Sequence, residues 1–159
     1  MKKAIIPAVC CVVTALSIVI MFLGGAVYIF AYVAPLLVGL LMILLKKAFG
    51  TASAWITYAA TSALSFMLVA DRECVLMYIM FFGFYPIIAS DINRMKPKAL
   101  NWLVKFFLFN LLMFLQQIML IYVFGIPLAE DEKNIGFILL FFFLLNLLFF
   151  IYEKLIIKL

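Results

Sequence analysis

Long apolar runs separated by brief polar interruptions set the pattern of this chain. Lys2-Lys3, Gly24-Gly25, Lys46-Lys47, Asp71-Arg72-Glu73, the segment from Ser90 to Asn101 and the acidic loop from Gly125 to Asn134 mark the boundaries. Crossing about 30 Å of hydrocarbon takes about 20 apolar residues in a helix, and each run between these marks is near that length. The pattern predicts helices at approximately 4–23, 26–45, 51–70, 74–90, 100–124 and 135–152, within a single membrane domain covering 1–159. In hydrocarbon a segment must satisfy its own backbone N–H and C=O groups, so the expected fold is all-α, a bundle of six transmembrane helices.

The polar residues inside the runs say which faces turn inward. In TASAWITYAATSALSFMLVADRE, Ser53, Thr57, Thr61 and Ser65 recur every fourth residue and stack on one helical face. Small side chains let helix backbones approach, and Ser or Thr hydroxyls can bond neighbouring carbonyls, so this stretch reads as the central helix with a structural stripe. The first span repeats the small-residue interval at Ala4 and Ala8 and at Cys11 and Ala15. In the second span Tyr28 and Tyr32 read as an interfacial belt or a ligand-facing wall, and Pro35 predicts a kink. Asn110, Gln116 and Gln117 in the fifth span should face the bundle, a cavity or one another, because amides are costly in lipid, and Asn110 and Gln117, seven apart, share a face. Asn146 is the one inward anchor expected of the Phe- and Leu-rich sixth span. Lys105 is early enough in its span for its ammonium to snorkel to the headgroups.

Composition agrees with a lipid solvent. The chain is 70% hydrophobic and 12% charged, with mean hydropathy +1.34, against about 25% charged residues in ordinary soluble domains. The apolar run after Lys2-Lys3 is long and is followed by no small-residue cleavage site, so it is expected to stay as a span. With both termini cytoplasmic, ten of the twelve basic residues fall inside and five of the seven acids outside. That division follows the positive-inside rule at every short loop, and it accounts for the +5 charge without a nucleic-acid partner. Three cysteines without a spacing pattern read as packing residues, and the absence of His removes the commonest metal ligand and proton shuttle.

No nucleophile motif, metal-binding motif, intramembrane carboxylate pair or phosphate-binding loop is present, so the chain is expected to be neither an enzyme nor a holder of metal or cofactor. Any solute movement would draw its energy from elsewhere. The size, the six spans, the Ala4-xxx-Ala8 pair, the segment APLLVGLL followed by lysines and the small-residue third helix resemble the substrate-binding S component of energy-coupling-factor vitamin transporters. The resemblance implies a bacterial cytoplasmic membrane protein whose Ala4 and Ala8 meet a transmembrane coupling subunit. It also implies cytoplasmic ATPases as the energy source and a small-molecule substrate bound near the external side. The site candidates at that side are Tyr28, Tyr32, Asp71, Arg72, Glu73, Tyr78 and Gln117. Arg72 would pair with an anionic group or the acids with a cationic one, the rings would cover an apolar body, and Gln117 would add a directional hydrogen bond. The alternative is a membrane scaffold of cell-envelope assembly, similar to the rod-shape-determining membrane protein. An intramembrane enzyme ranks last. A cavity open to the acidic side favours uptake, and continuous Phe and Leu packing favours the scaffold.

Overall fold

The computed structural model describes residues 2–26, 28–93, 97–125 and 135–158, among which every regular element is helical. In order these are α1 (Lys2–Gly25), α2 (Tyr28–Phe49), α3 (Thr51–Leu68), α4 (Arg72–Met77), a π-helical segment (Tyr78–Phe82), α5 (Tyr85–Ile92), α6 (Lys98–Tyr122) and α7 (Ile135–Lys158). Five stretches are long and apolar enough to cross a membrane: Ile5–Gly25, Phe30–Phe49, Arg72–Ile92, Lys98–Tyr122 and Ile138–Lys158. This is the make-up of a multi-pass membrane protein. The hydroxyls and alanines of α3 leave its 18 residues outside that set. The acidic loop residues Glu130, Asp131 and Glu132 lie outside the described residues.

Helix ends differ from expectation where charge is compatible with helix. α2 runs on through Lys46 and Lys47 to Phe49, since cations in a last turn are favoured by the helix dipole. It also continues through the buried Pro35 as one helix. α7 continues six residues beyond 152, carrying Glu153, Lys154 and Lys158 within the helix.

The central element is not the stretch from Thr51 to Glu73. α3 stops at Leu68, Val69 is extended (φ −89°, ψ 124°), and Asp71 starts a new helix. Ser53, Ala54, Thr57, Thr61 and Ser65 do face inward, as the fourfold spacing requires, while Trp55, Ile56, Leu64, Phe66 and Met67 face out. The centre is the rod Arg72–Ile92, 61% buried over its apolar window against 22% for α1 and for the last helix. Against Ala54 of α3 it packs Cys74, Val75, Tyr78 and Ile87, while Met77, Phe81, Phe82 and Tyr85 face away from α3.

Two cores flank this rod, and α2 contributes to both. On one side Leu36 and Ile43 of α2 join Phe81, Phe82 and Tyr85 of the rod, Phe109 and Met113 of α6, and Leu145, Phe149 and Tyr152 of α7. On the other, Ala31, Ala34, Val38 and Met42 of α2 join Met21 of α1, Ala54 of α3, and Cys74, Val75 and Tyr78 of the rod. Leu36 and Ile43 are two turns apart on one stripe and the second set lies on the opposite one, so α2 is apolar around its girth because it is packed on two sides.

The π-helical turn has an identifiable cause. Pro86 has no N–H to give the carbonyl of Phe82 four residues earlier, and the Gly83 N–H bonds Tyr78 O at 2.7 Å, five residues back. Tyr152 of α7 donates its hydroxyl to the orphaned Phe82 O at 3.0 Å. α2 closes against this bond through Gly39, where an added Cβ would overlap both Phe82 O and the Tyr152 hydroxyl. Tyr152→Phe leaves a buried carbonyl unbonded and is expected to lose about 1–3 kcal/mol of stability. Gly39→Ala is expected to lose as much through overpacking, about 1–3 kcal/mol. Reversible unfolding in mixed micelles checks both, with Tyr122→Phe, at an exposed position, as the neutral control.

Candidate functional site

At one end of the bundle the loop after α1 meets the start of the rod. Gly25 lies so close to Asp71 that a Cβ there would stand 2.8 Å from the Asp71 Cβ. Asp71 caps α4, its Oδ1 accepting from the Glu73 N–H at 3.0 Å and the Cys74 N–H at 3.2 Å, so this carboxylate serves the orphan donors of a helix start. The Tyr32 hydroxyl donates to Glu73 Oε1 at 2.8 Å, tying α2 to the rod. Arg72 turns back to α3, donating to Phe66 O with its guanidinium 5.1 Å from the Phe66 ring centre.

Four of the sequence candidates, Tyr32, Asp71, Arg72 and Glu73, are therefore brought together. Tyr78 is not among them. It lies about 7–8 Å further along the rod by helical rise, fully buried, with its ring 5.8 Å from that of Tyr58. Its hydroxyl and that of Thr61 are both buried without a hydrogen-bond partner among the described residues. Gln117 is half-buried, and Gln116 takes the inward position, 3% exposed with its Oε1 unpartnered. The reason is register: Gln116 continues the α6 stripe of Asn101, Lys105, Phe109 and Met113, which Gln117 does not. The side chains of Tyr28 and Ala4 lie outside the described residues, and Ala8 is exposed on α1.

The opposite end holds a polar network that departs from expectation. Lys105 does not snorkel. It is 1% exposed and donates to the Glu153 carboxylate and to Asn93 Oδ1. Glu153, fully buried, also accepts from the Tyr85 hydroxyl at 2.5 Å. An isolated buried charge is costly, so the inward stripe of α6 holds a lysine because α7 brings it a carboxylate with a second donor. The signal was present in the spacing: Lys105 is four residues from both Asn101 and Phe109, and Glu153 is four from Phe149. Ending the last span at 152 set Glu153 outside the bundle. Halfway along the same two helices, Asn110 and Asn146 exchange amide hydrogen bonds at 3.2 Å in each direction, the mutual pairing that buried amides require.

Beside the network a cleft of about 760 Å³ opens at this end, lined by Lys46, Lys98, Ser90, Asn101 and Trp102 among others, none of them acidic. Lys46 donates there to the Ser90 hydroxyl and to Ile87 O. A second, apolar groove of about 420 Å³ runs between α1 and α3 past Cys10, Thr14 and Thr57. Among the described residues no three His, Cys, Asp or Glu side chains gather as a metal-ligand set.

Lys105→Met leaves Glu153 buried without its countercharge and is expected to lose about 3–5 kcal/mol, while Lys105→Met combined with Glu153→Leu recovers most of that loss. Unfolding of the single and double variants in micelles, compared as a double-mutant cycle, measures the coupling; a single variant as stable as the parent contradicts it.

No protein-family model, curated protein or solved structure matches this chain.

Proposed function

We propose that this chain is a non-catalytic membrane subunit that works through partners, as the substrate-binding component of a small-molecule uptake transporter of the energy-coupling-factor type. The observation that carries the reading is the orientation of α1. Its small residues Ala8, Cys11 and Ala15 are exposed and not packed into the bundle, so the face where backbones can approach closely is open to another protein. The polar groups suited to a solute gather at the other requirement of such a subunit, the end carrying Tyr32, Asp71, Arg72 and Glu73. In this reading α3 counts as the sixth span, both termini are cytoplasmic, and the membrane is the bacterial cytoplasmic one. The separation of Lys46, Lys47, Lys98 and Lys105 at one end from Asp71 and Glu73 at the other supports that orientation. A transmembrane coupling subunit and cytoplasmic ATPases would supply the energy, and a vitamin or similar micronutrient would be the cargo.

A second reading is favoured by a different observation. Phe81, Tyr85, Phe109, Phe149 and Tyr152 form one continuous aromatic core, with Phe81 and Tyr85 stacked at 4.5 Å and Phe109 and Phe149 at 4.7 Å. Such filled packing suits a rigid scaffold for envelope-synthesis enzymes.

Purification of the tagged chain from its own cells separates the two. Uptake predicts that ATPase subunits and a small molecule co-purify, and that Ala8→Leu loses the ATPases while the bundle stays folded. A scaffold predicts envelope-synthesis enzymes without ATPases or small molecule. If Ala8→Leu misfolds, the exposed face is internal packing and the partner argument falls.

A further inference from the structure

The cleft at the lysine-rich end combines three features that neither reading above uses. Among the described residues its lining holds cations without a carboxylate. Lys105 is answered by Glu153, and Lys47 has contacts of its own, but Lys46 donates to two neutral acceptors, the Ser90 hydroxyl and Ile87 O, and among the described residues no carboxylate compensates its charge. Lys98 stands exposed across the cleft at the start of α6.

The second feature is an acceptor in want of a donor. Asn101 is 7% exposed; its Nδ2 donates to Ile92 O at 2.8 Å, and its Oδ1 is buried with no partner among the described residues. A bare anion would satisfy the lysines and leave this oxygen unmet, whereas an anion carrying a hydroxyl satisfies both.

The third is where the cleft leads. Trp102 and Ile157 belong to its lining and are 40% and 62% exposed, so its wall continues into the apolar outer surface of α6 and α7. An indole beside cations at the end of apolar helices suits the headgroup layer, and basic pockets between transmembrane helices are a recurrent way of holding anionic headgroups.

The geometry points to a binding site for the headgroup of an anionic phospholipid, its phosphate held by Lys46 and Lys98, a headgroup hydroxyl bonded to Asn101 Oδ1, and its chains lying along α6 and α7. A soluble phosphate ester shares the headgroup chemistry, but has no use for the apolar wall. This assignment does not depend on the uptake reading.

The test is lipid retention by the full chain, purified in a mild detergent from equal amounts of phosphatidylglycerol and phosphatidylcholine and analysed by mass spectrometry, with glycerol phosphate added as competitor in a parallel sample. Phosphatidylglycerol is expected to be retained in preference. Lys98→Gln, which removes an exposed charge and leaves the Lys105 and Glu153 pair intact, is expected to lower the retained ratio about fivefold, the effect of one lysine near an anionic headgroup. Lys158→Gln, at the end of α7 and outside the cleft lining, should leave the ratio unchanged. Equal retention of the two lipids, or a ratio unmoved by Lys98→Gln, overturns the site. Displacement of the lipid by glycerol phosphate at equal concentration overturns the lipid as its source.

Discussion

The approach of α2 to the rod at Gly39 is the constraint from which the rest of the bundle follows. Pro86 removes the donor for Phe82 O, the π-helical turn turns that carbonyl outward, and Tyr152 arrives to bond it with Gly39 closing over the pair. Three helices are thus fixed at one point by a missing N–H and a missing Cβ. A larger residue at 39 would hold α2 off the rod, and α2 is the element shared by the two cores. The separation of those cores into an aromatic lobe and a small-residue lobe is a consequence of α2 lying this close.

α7 shows why such polar fastenings are needed. Its surface is Phe and Leu almost all round, and in lipid an apolar face gains nothing by turning from acyl chains to a neighbouring helix. Apolar packing alone leaves its rotation and register poorly defined. Three polar contacts define them: Asn146 with Asn110, Tyr152 with Phe82 O, and Glu153 with Lys105 and Tyr85. They lie within about two turns on one side of the helix, which a single rotation satisfies together. A buried ion pair is weak evidence for stability, but as a device for specifying one arrangement among several apolar ones it has a clear role here.

Much of this was legible in the chain because lipid imposes strict rules on backbone and charge. The helix positions followed from the apolar runs, and the inward stripe of α3 followed from Ser53, Thr57, Thr61 and Ser65. That Asn110 and Asn146 turn inward followed from the cost of unmatched amides, while their pairing with each other is a finding of the structure. What escaped notice were matters of depth and register. A flexible lysine near a helix start can reach the headgroups, and nothing local shows that for Lys105 a glutamate 48 residues away meets it instead. Gln116 and Gln117 are adjacent and chemically the same, so one position of helical phase decides which turns inward. The centrality of Arg72–Ile92 was hidden because its Met and Phe content is as suited to lipid as to a core, whereas the hydroxyls of α3 drew the eye to a helix that is in fact half outward.

The candidate residues at the acidic end already hold partners within the fold, and this shapes what a ligand there would have to do. Tyr32 holds Glu73, Asp71 holds the first amides of α4, and Arg72 holds the end of α3, all around the extended residue Val69 where α3 gives way to the rod. A solute entering this end exchanges those contacts for its own, so its tightness is set by the difference between the two sets and not by the number it makes. The Arg72 bond to Phe66 O ties the last turn of α3 to the rod, and the Tyr32 bond to Glu73 ties the first turns of α2 to it. Both helices pack on α1, which buries Cys10, Thr14 and Ser17 and exposes Ala8, Cys11 and Ala15. In the uptake reading, a solute at that end would compete for contacts held by the two helices that pack on α1, and no charge would have to move through the apolar middle.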